Sequence, residues 1–142
     1  MRIIFLIIIG VSSLMAGNFT RNANGVVTDS RTNLEWQDDY SNNIKEATWQ
    51  SAIDYCENLN LDANSDWRLP NLNELTSLVD DTKYTPAINP TFVNTNSNYW
   101  SSTSVVNNSN DAWVVYFDYG NQGNDGNKDN NSYYVRCVRA GQ

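Results

Sequence analysis

The chain has 142 residues, with 9 basic side chains, 16 acidic ones, no histidine and a formal net charge of −7. That balance argues against nucleic acid and anionic membrane surfaces as partners. The missing histidine removes the commonest general base and the commonest transition-metal ligand together.

Met1 and Arg2 supply a charged start, Ile3 to Ile9 an unbroken apolar run, and Leu14-Met15-Ala16 a small-residue exit. These are the three parts of a secretory signal peptide, expected over residues 1–16. The run is too short for a bilayer, which needs about 20 apolar residues, so no stable membrane insertion is expected after cleavage. An uncleaved N-terminal anchor is the alternative. The remainder, residues 17–142, has the size of one domain and loses a positive charge with Arg2. The expected location is secreted, periplasmic or on the cell surface.

Phe19 to Trp36 reads as short strands joined by turns at Asn22-Ala23-Asn24-Gly25 and Ser30-Arg31-Thr32-Asn33. Asp38 to Asn43 reads as a polar connection. Trp49, Ala52, Ile53, Cys56 and Leu59 recur at steps of three and four, which predicts a helix after Thr48 with Cys56 turned to the core. Asp66 to Pro70 is extended, because Pro70 biases Leu69 away from helical geometry. Asn71 with Glu74 predicts a capped second helix, its buried stripe being Leu72, Leu75, Leu78 and Val79 and its end Asp80-Asp81. Thr85 to Pro90 predicts an ordered irregular loop. Tyr99 to Thr103 and Asp111 to Tyr119 read as strands, Gly120 to Asn131 as a polar loop, and Ser132 to Val138 as the last strand, carrying Cys137. Apolar residues on both faces of these strands predict a central sheet buried on both sides.

In an oxidising compartment Cys56 and Cys137 most simply pair with each other. Two buried free thiols and an intermolecular bridge are the alternatives. The 23 asparagines fit turns, where their side chains bond the local backbone. Asp118, Asp125 and Asp129, with the asparagines between them, are the one candidate metal set, and clustered oxygens suit calcium. No glutamate closes that segment, so the EF-hand spacing fails and a solvated hairpin tip is the competing reading. Trp100 and Trp113 are candidates for a sugar-stacking surface, against the alternative that both pack in the core. Trp36, Trp49 and Trp67 read as core. Arg68, Arg136 and Arg139 are expected to pair with carboxylates such as Asp66 and Glu74. No Gly-x-Ser-x-Gly elbow or phosphate loop occurs. Asp38-Asp39 and Asp80-Asp81 are adjacent in sequence, where carboxylates do not converge as a glycosidase pair does. The chain therefore reads as no enzyme, and as needing no cofactor.

The strings Thr48-Trp49…Tyr55-Cys56, Asp66-Trp67-Arg68-Leu69-Pro70-Asn71…Glu74-Leu75, Tyr99-Trp100-Ser101-Ser102-Thr103, Ala112-Trp113 and Tyr134-Val135-Arg136-Cys137-Val138-Arg139, in this order, resemble the Lcl C-terminal domain family. That family is named for the last domain of a bacterial collagen-like adhesin. The resemblance runs from about Phe19 to Arg139. It implies an α+β, C-type-lectin-like fold: two helices packed on a small twisted, mostly antiparallel sheet with long irregular loops. It also implies a bridge from a helix cysteine to one in the last strand, in agreement with the pairing above. Glu-Pro-Asn and Trp-Asn-Asp triplets, which bind calcium and sugar in such lectins, are missing. The family's founding domain is associated with sulfated polysaccharides, and the negative charge here argues against the same ligand. The resulting expectation is a secreted or surface binding module for an extracellular glycan or surface protein. A non-catalytic assembly module of a surface or periplasmic complex is the alternative.

Overall fold

A computed structural model describes residues 18–39, 46–93 and 98–142. The expected signal segment lies outside these residues, as does most of the polar connection ending at Asn43. The structure is α+β, with nine strands and two helices among the described residues. β1 (Phe19–Arg21), β2 (Val26–Asp29) and β3 (Leu34–Gln37) form an antiparallel meander. β4 (Glu46–Ala47) leads into α1 (Trp49–Glu57) and then α2 (Leu72–Thr76). β5 (Asn98–Val105), β6 (Asn108–Tyr116), β7 (Asn121–Asn127), β8 (Tyr133–Tyr134) and β9 (Val138–Ala140) complete the chain.

The single small sheet of the sequence reading is two sheets, ordered β1-β2-β3-β9 and β4-β8-β5-β6-β7. Every pairing is antiparallel except β5 with β8. The expected last strand is correspondingly split. β8 ends in the five-stranded sheet, the chain crosses through buried Val135, Arg136 and Cys137, and β9 joins the four-stranded sheet. Cys137 thus sits in the crossing just before β9, and its carbonyl accepts from Gln37 N–H at 2.9 Å.

The larger sheet is covered on both faces, as the apolar pattern predicted. Trp100 and Val114 join Ala52, Cys56, Trp67 and Val135 in one core. Their chain neighbours Tyr99 and Val115 join Leu75, Leu78, Ile88 and Phe117 in the other. Alternation along β5 and β6 makes this division. Cys56 on α1 and Cys137 are joined, with Cα atoms 5.4 Å apart and both residues fully buried.

Asn71 caps α2 as expected. Its side chain accepts from Glu74 N–H at 2.8 Å, and Glu74 Oε1 accepts from Asn71 N–H at 2.9 Å. The helix stops at Thr76 rather than Asp80, and Leu78 and Val79 are buried or half-buried from the turn beyond it. Arg68 forks onto both Glu74 oxygens at 2.7 Å. That guanidinium, followed by the Asn71 N–H, holds the Glu74 carboxyl below its ordinary value. A lowered folded-state value means stability that is present above the ordinary carboxylate range and lost as pH falls through it. Between about pH 5 and about pH 2, urea unfolding is therefore expected to weaken more steeply for the native chain than for Glu74→Gln. Parallel curves would contradict this.

The turn after α1 contains a locally unfavourable backbone. Asp62 and Ala63 both have positive φ, +55° and +58°, between the reciprocal Leu61 and Asn64 hydrogen bonds. Asp62 tolerates this and its carboxylate accepts from Asn22 Nδ2 at 2.8 Å and Asn24 Nδ2 at 2.6 Å, tying the turn to the β1–β2 hairpin. Ala63 has an exposed methyl and no such compensation. Ala63→Gly is expected to raise stability by about 0.5–1 kcal/mol. A lowered melting temperature would show the turn to be relaxed with alanine.

Candidate functional site

Of the two tryptophans weighed between a stacking surface and the core, Trp100 lies in the core. Trp100 is fully buried; its Nε1 donates to Ala47 O at 2.8 Å, and the Tyr133 ring packs edge-on at 4.7 Å. It lies opposite Val114 in the middle of the sheet, so it presents no ring face to a ligand. Trp113 is half-buried, and its carbonyl accepts from Ser101 Oγ at 2.8 Å. Trp36 and Trp67 are core, and Trp49 is half-buried with its Nε1 donating to Ser101 O at 2.9 Å.

The segment weighed as a calcium site against a hairpin tip is mostly strand. Gly120 to Asn131 is largely the edge strand β7. Asp118 precedes this strand and Asp129 follows it, so they stand at opposite ends, roughly 20 Å apart by strand rise. Asp125 lies on β7 and accepts from Tyr116 Oη–H at 2.7 Å. Burial, then the Asp125 bond, pushes the Tyr116 phenol up; burial, then the Asp125 charge, does the same to Tyr133. Among the described residues no group of three His, Cys, Asp or Glu is placed to hold a metal ion.

The strand's glycines looked like loop residues, yet two of them serve packing. A Cβ at Gly126 would stand 2.6 Å from Trp100 Cζ3 and 2.7 Å from Val114 Cγ2. One at Gly123 would collide with the Tyr116 ring.

The arginines are engaged as expected. Arg68 holds Glu74, while Arg139 is buried against Glu35 and binds Asp66 at 2.7 Å. Arg136 pairs with Asp38 at 3.5 Å, and its guanidinium lies 4.6 Å from the Phe92 ring and 5.1 Å from that of Tyr99. Asp38 is a surprise. Read as polar connection, it is fully buried, pairs also with Arg21, and accepts from Val93 N–H at 2.8 Å.

The exposed aromatic residues lie elsewhere. Tyr84 and Tyr119 are 75% and 78% exposed, where a large ring is normally covered. The irregular loop is bonded to the end of the β6 segment close to both. Thr85 N–H donates to Asp118 O at 2.7 Å, and Ala87 N–H to Phe117 O at 2.6 Å. These bonds hold the segment after Tyr84 against the segment before Tyr119. Asp80 N–H donates to Ala87 O at 3.0 Å, and Lys83 N–H to Asp80 O at 3.0 Å, closing the turn before Tyr84. Gly120, at φ +79°, lets the chain turn directly over Val79 and Ala87, where a Cβ would meet Val79 Cγ1 at 2.6 Å. Gln122 Nε2 donates to Thr76 Oγ1 at 2.9 Å and fastens β7 to α2. A cavity of about 180 Å³ opens beside the turn, with Val79, Asp80 and Asp81 in its wall and Phe19, Arg31 and Asn89 opposite.

Sequence reasoning missed this pair because neither tyrosine belongs to a periodic pattern. The available signal was that absence: Tyr84 falls between turn residues and Thr85-Pro86, and Tyr119 two residues past the last buried position, Phe117.

The class defined by this architecture is a disulfide-clamped α+β domain with an exposed aromatic edge. The family model of the Lcl C-terminal domain matches residues 25–139, and the chain belongs to that family, whose members are surface-associated binding domains in general. A comparison with curated proteins found no match.

Proposed function

We propose that this chain is a non-catalytic binding domain, acting outside the cytoplasm, whose ligand is a polysaccharide. The observation that supports it best is that Tyr84 and Tyr119 are both largely exposed, on two segments that backbone hydrogen bonds hold together. An aromatic ring with a hydroxyl tip suits the apolar face and polar rim of a sugar ring. Holding the two backbone segments before binding reduces the ordering cost of association. The C-type-lectin-like arrangement belongs to the same proposal. The family resemblance implies a bridge from a helix cysteine to one in the last strand and a long irregular loop region, and Cys56 bonded to Cys137 just before β9 is close to that.

The test is retention of the full chain by a panel of immobilised polysaccharides. Tyr84→Ala and Tyr119→Ala are each expected to weaken retention about tenfold, the scale of one aromatic contact, without lowering the melting temperature. Silence across the panel would reject the reading in favour of an assembly module. Retention indifferent to both substitutions would reject this site.

A further inference from the structure

Asn24 is the one asparagine of the chain that glycine follows. With no side chain on the next residue, its amide nitrogen has open access to the asparagine side-chain carbonyl. Asn24 is exposed, in the turn that ends at Gly25 with φ +84°. Gly25 N–H donates to Asn22 O at 3.4 Å, longer than an ordinary N–H bond to oxygen, so the nitrogen is weakly held. The Asn24 side chain is held better. Its Nδ2 donates to Asp62 Oδ1 at 2.6 Å, while Asn22 Nδ2 donates to the other Asp62 oxygen at 2.8 Å.

We propose that Asn24 is the chain's site of spontaneous deamidation, and that the Asp62 carboxylate restrains the reaction while the fold is intact. The Gly25 nitrogen gives its proton to solvent and bonds to Asn24 Cγ. The Cγ–Nδ2 bond breaks, and Nδ2 takes a proton from solvent and leaves as ammonia. Water then opens the succinimide at either carbonyl, leaving aspartate or isoaspartate with no change of oxidation state. The bond to Asp62 must break before Nδ2 departs, and the carboxylate charge opposes the oxyanion formed at Cγ. Aspartate in place of Asn24 sets two carboxylates against each other, both acceptors only, where a donor had met an acceptor. Isoaspartate adds a backbone methylene beside Gly25, which has no room to shift. A Cβ there would stand 2.3 Å from Asp39 Cα, and the Gly25 carbonyl accepts from the N–H of buried Asp38 at 2.8 Å. Either product loosens the tie between the β1–β2 hairpin and the turn after α1.

The experiment incubates the full chain, Asp62→Gly and Asp62→Asn at mildly alkaline pH and follows the tryptic peptide from Asn22 to Arg31 by mass spectrometry. Glycine and asparagine both accept the φ of +55° at position 62, and circular dichroism reports whether each variant is folded. The native chain is expected to lose the Asn24 amide before any other. Asp62→Gly should lose it about fivefold faster, the scale of one net hydrogen bond. Asp62→Asn, which keeps an acceptor and removes the charge, should fall between them. In urea-unfolded chains the three rates should coincide. Equal rates in the folded chains, a difference that persists in urea, no loss at Asn24 in either variant, or earlier loss at another asparagine would overturn the proposal. Asn24→Asp should lower the urea midpoint, and Asp62→Asn in that background should restore part of it; an unchanged midpoint would overturn the proposed consequence.

Discussion

Replacing Cys56 and Cys137 together with alanine is expected to lower the unfolding free energy by about 2–5 kcal/mol. The two sulfurs close a separation of 81 residues, and chain entropy alone assigns a loop of that length about 4–5 kcal/mol. Strain and residual structure in the unfolded chain bring the measured value down. The bridge also joins the parts that local sequence couples least, namely α1 and the crossing between the two sheets. A domain of this size has a total of about 5–15 kcal/mol, so the loss is a large share of it. Urea unfolding of the native and substituted chains measures it directly. A cost under about 1 kcal/mol would show that noncovalent packing already holds the crossing in place.

Asp38→Asn is expected to cost about 3–5 kcal/mol, because it removes the carboxylate charge shared by two arginines while keeping the shape. Arg136 is 2% exposed, and the Arg21 side chain is 14% exposed. The Arg136 guanidinium cannot turn to water without leaving its packing at Phe92 and Tyr99. The carboxylate has a second task, accepting from Val93 N–H and so anchoring the irregular loop. Arg136→Met should cost less than Asp38→Asn, since it leaves Asp38 paired with Arg21 and puts an apolar chain between two rings. Equal stability of Asp38→Asn and the native chain would mean that the buried charges are not coupled as described.

What the sequence disclosed was local. The Asn71–Glu74 cap, the Asn24-Gly25 turn and the helical spacing that turns Cys56 inward each need only a few neighbouring residues, and all three are present. The two-faced sheet was also legible, because consecutive apolar residues such as Val114 and Val115 leave no polar face. Misreadings occurred where distant residues decide. β7 contains glycines because Trp100 and Tyr116 lie across it, and a window over Asn121 to Asn127 contains neither ring. Asp38 is buried because Arg21 and Arg136 meet it from either end of the chain. The last strand changes sheets within a buried run that continues without a turn signal from Val135 to Val138. The site shares this limit: Trp100 drew attention by its type, whereas the segments of Tyr84 and Tyr119 are joined only through backbone bonds from Thr85 and Ala87 to Asp118 and Phe117, just past β6.

The most direct measurement is a crystal structure of the full chain with an oligosaccharide cut from the polymer it retains best. Sugar density lying against the ring of Tyr84, of Tyr119 or of both is the predicted result. Sugar bound at another surface, with those two rings bare to solvent, would contradict the account.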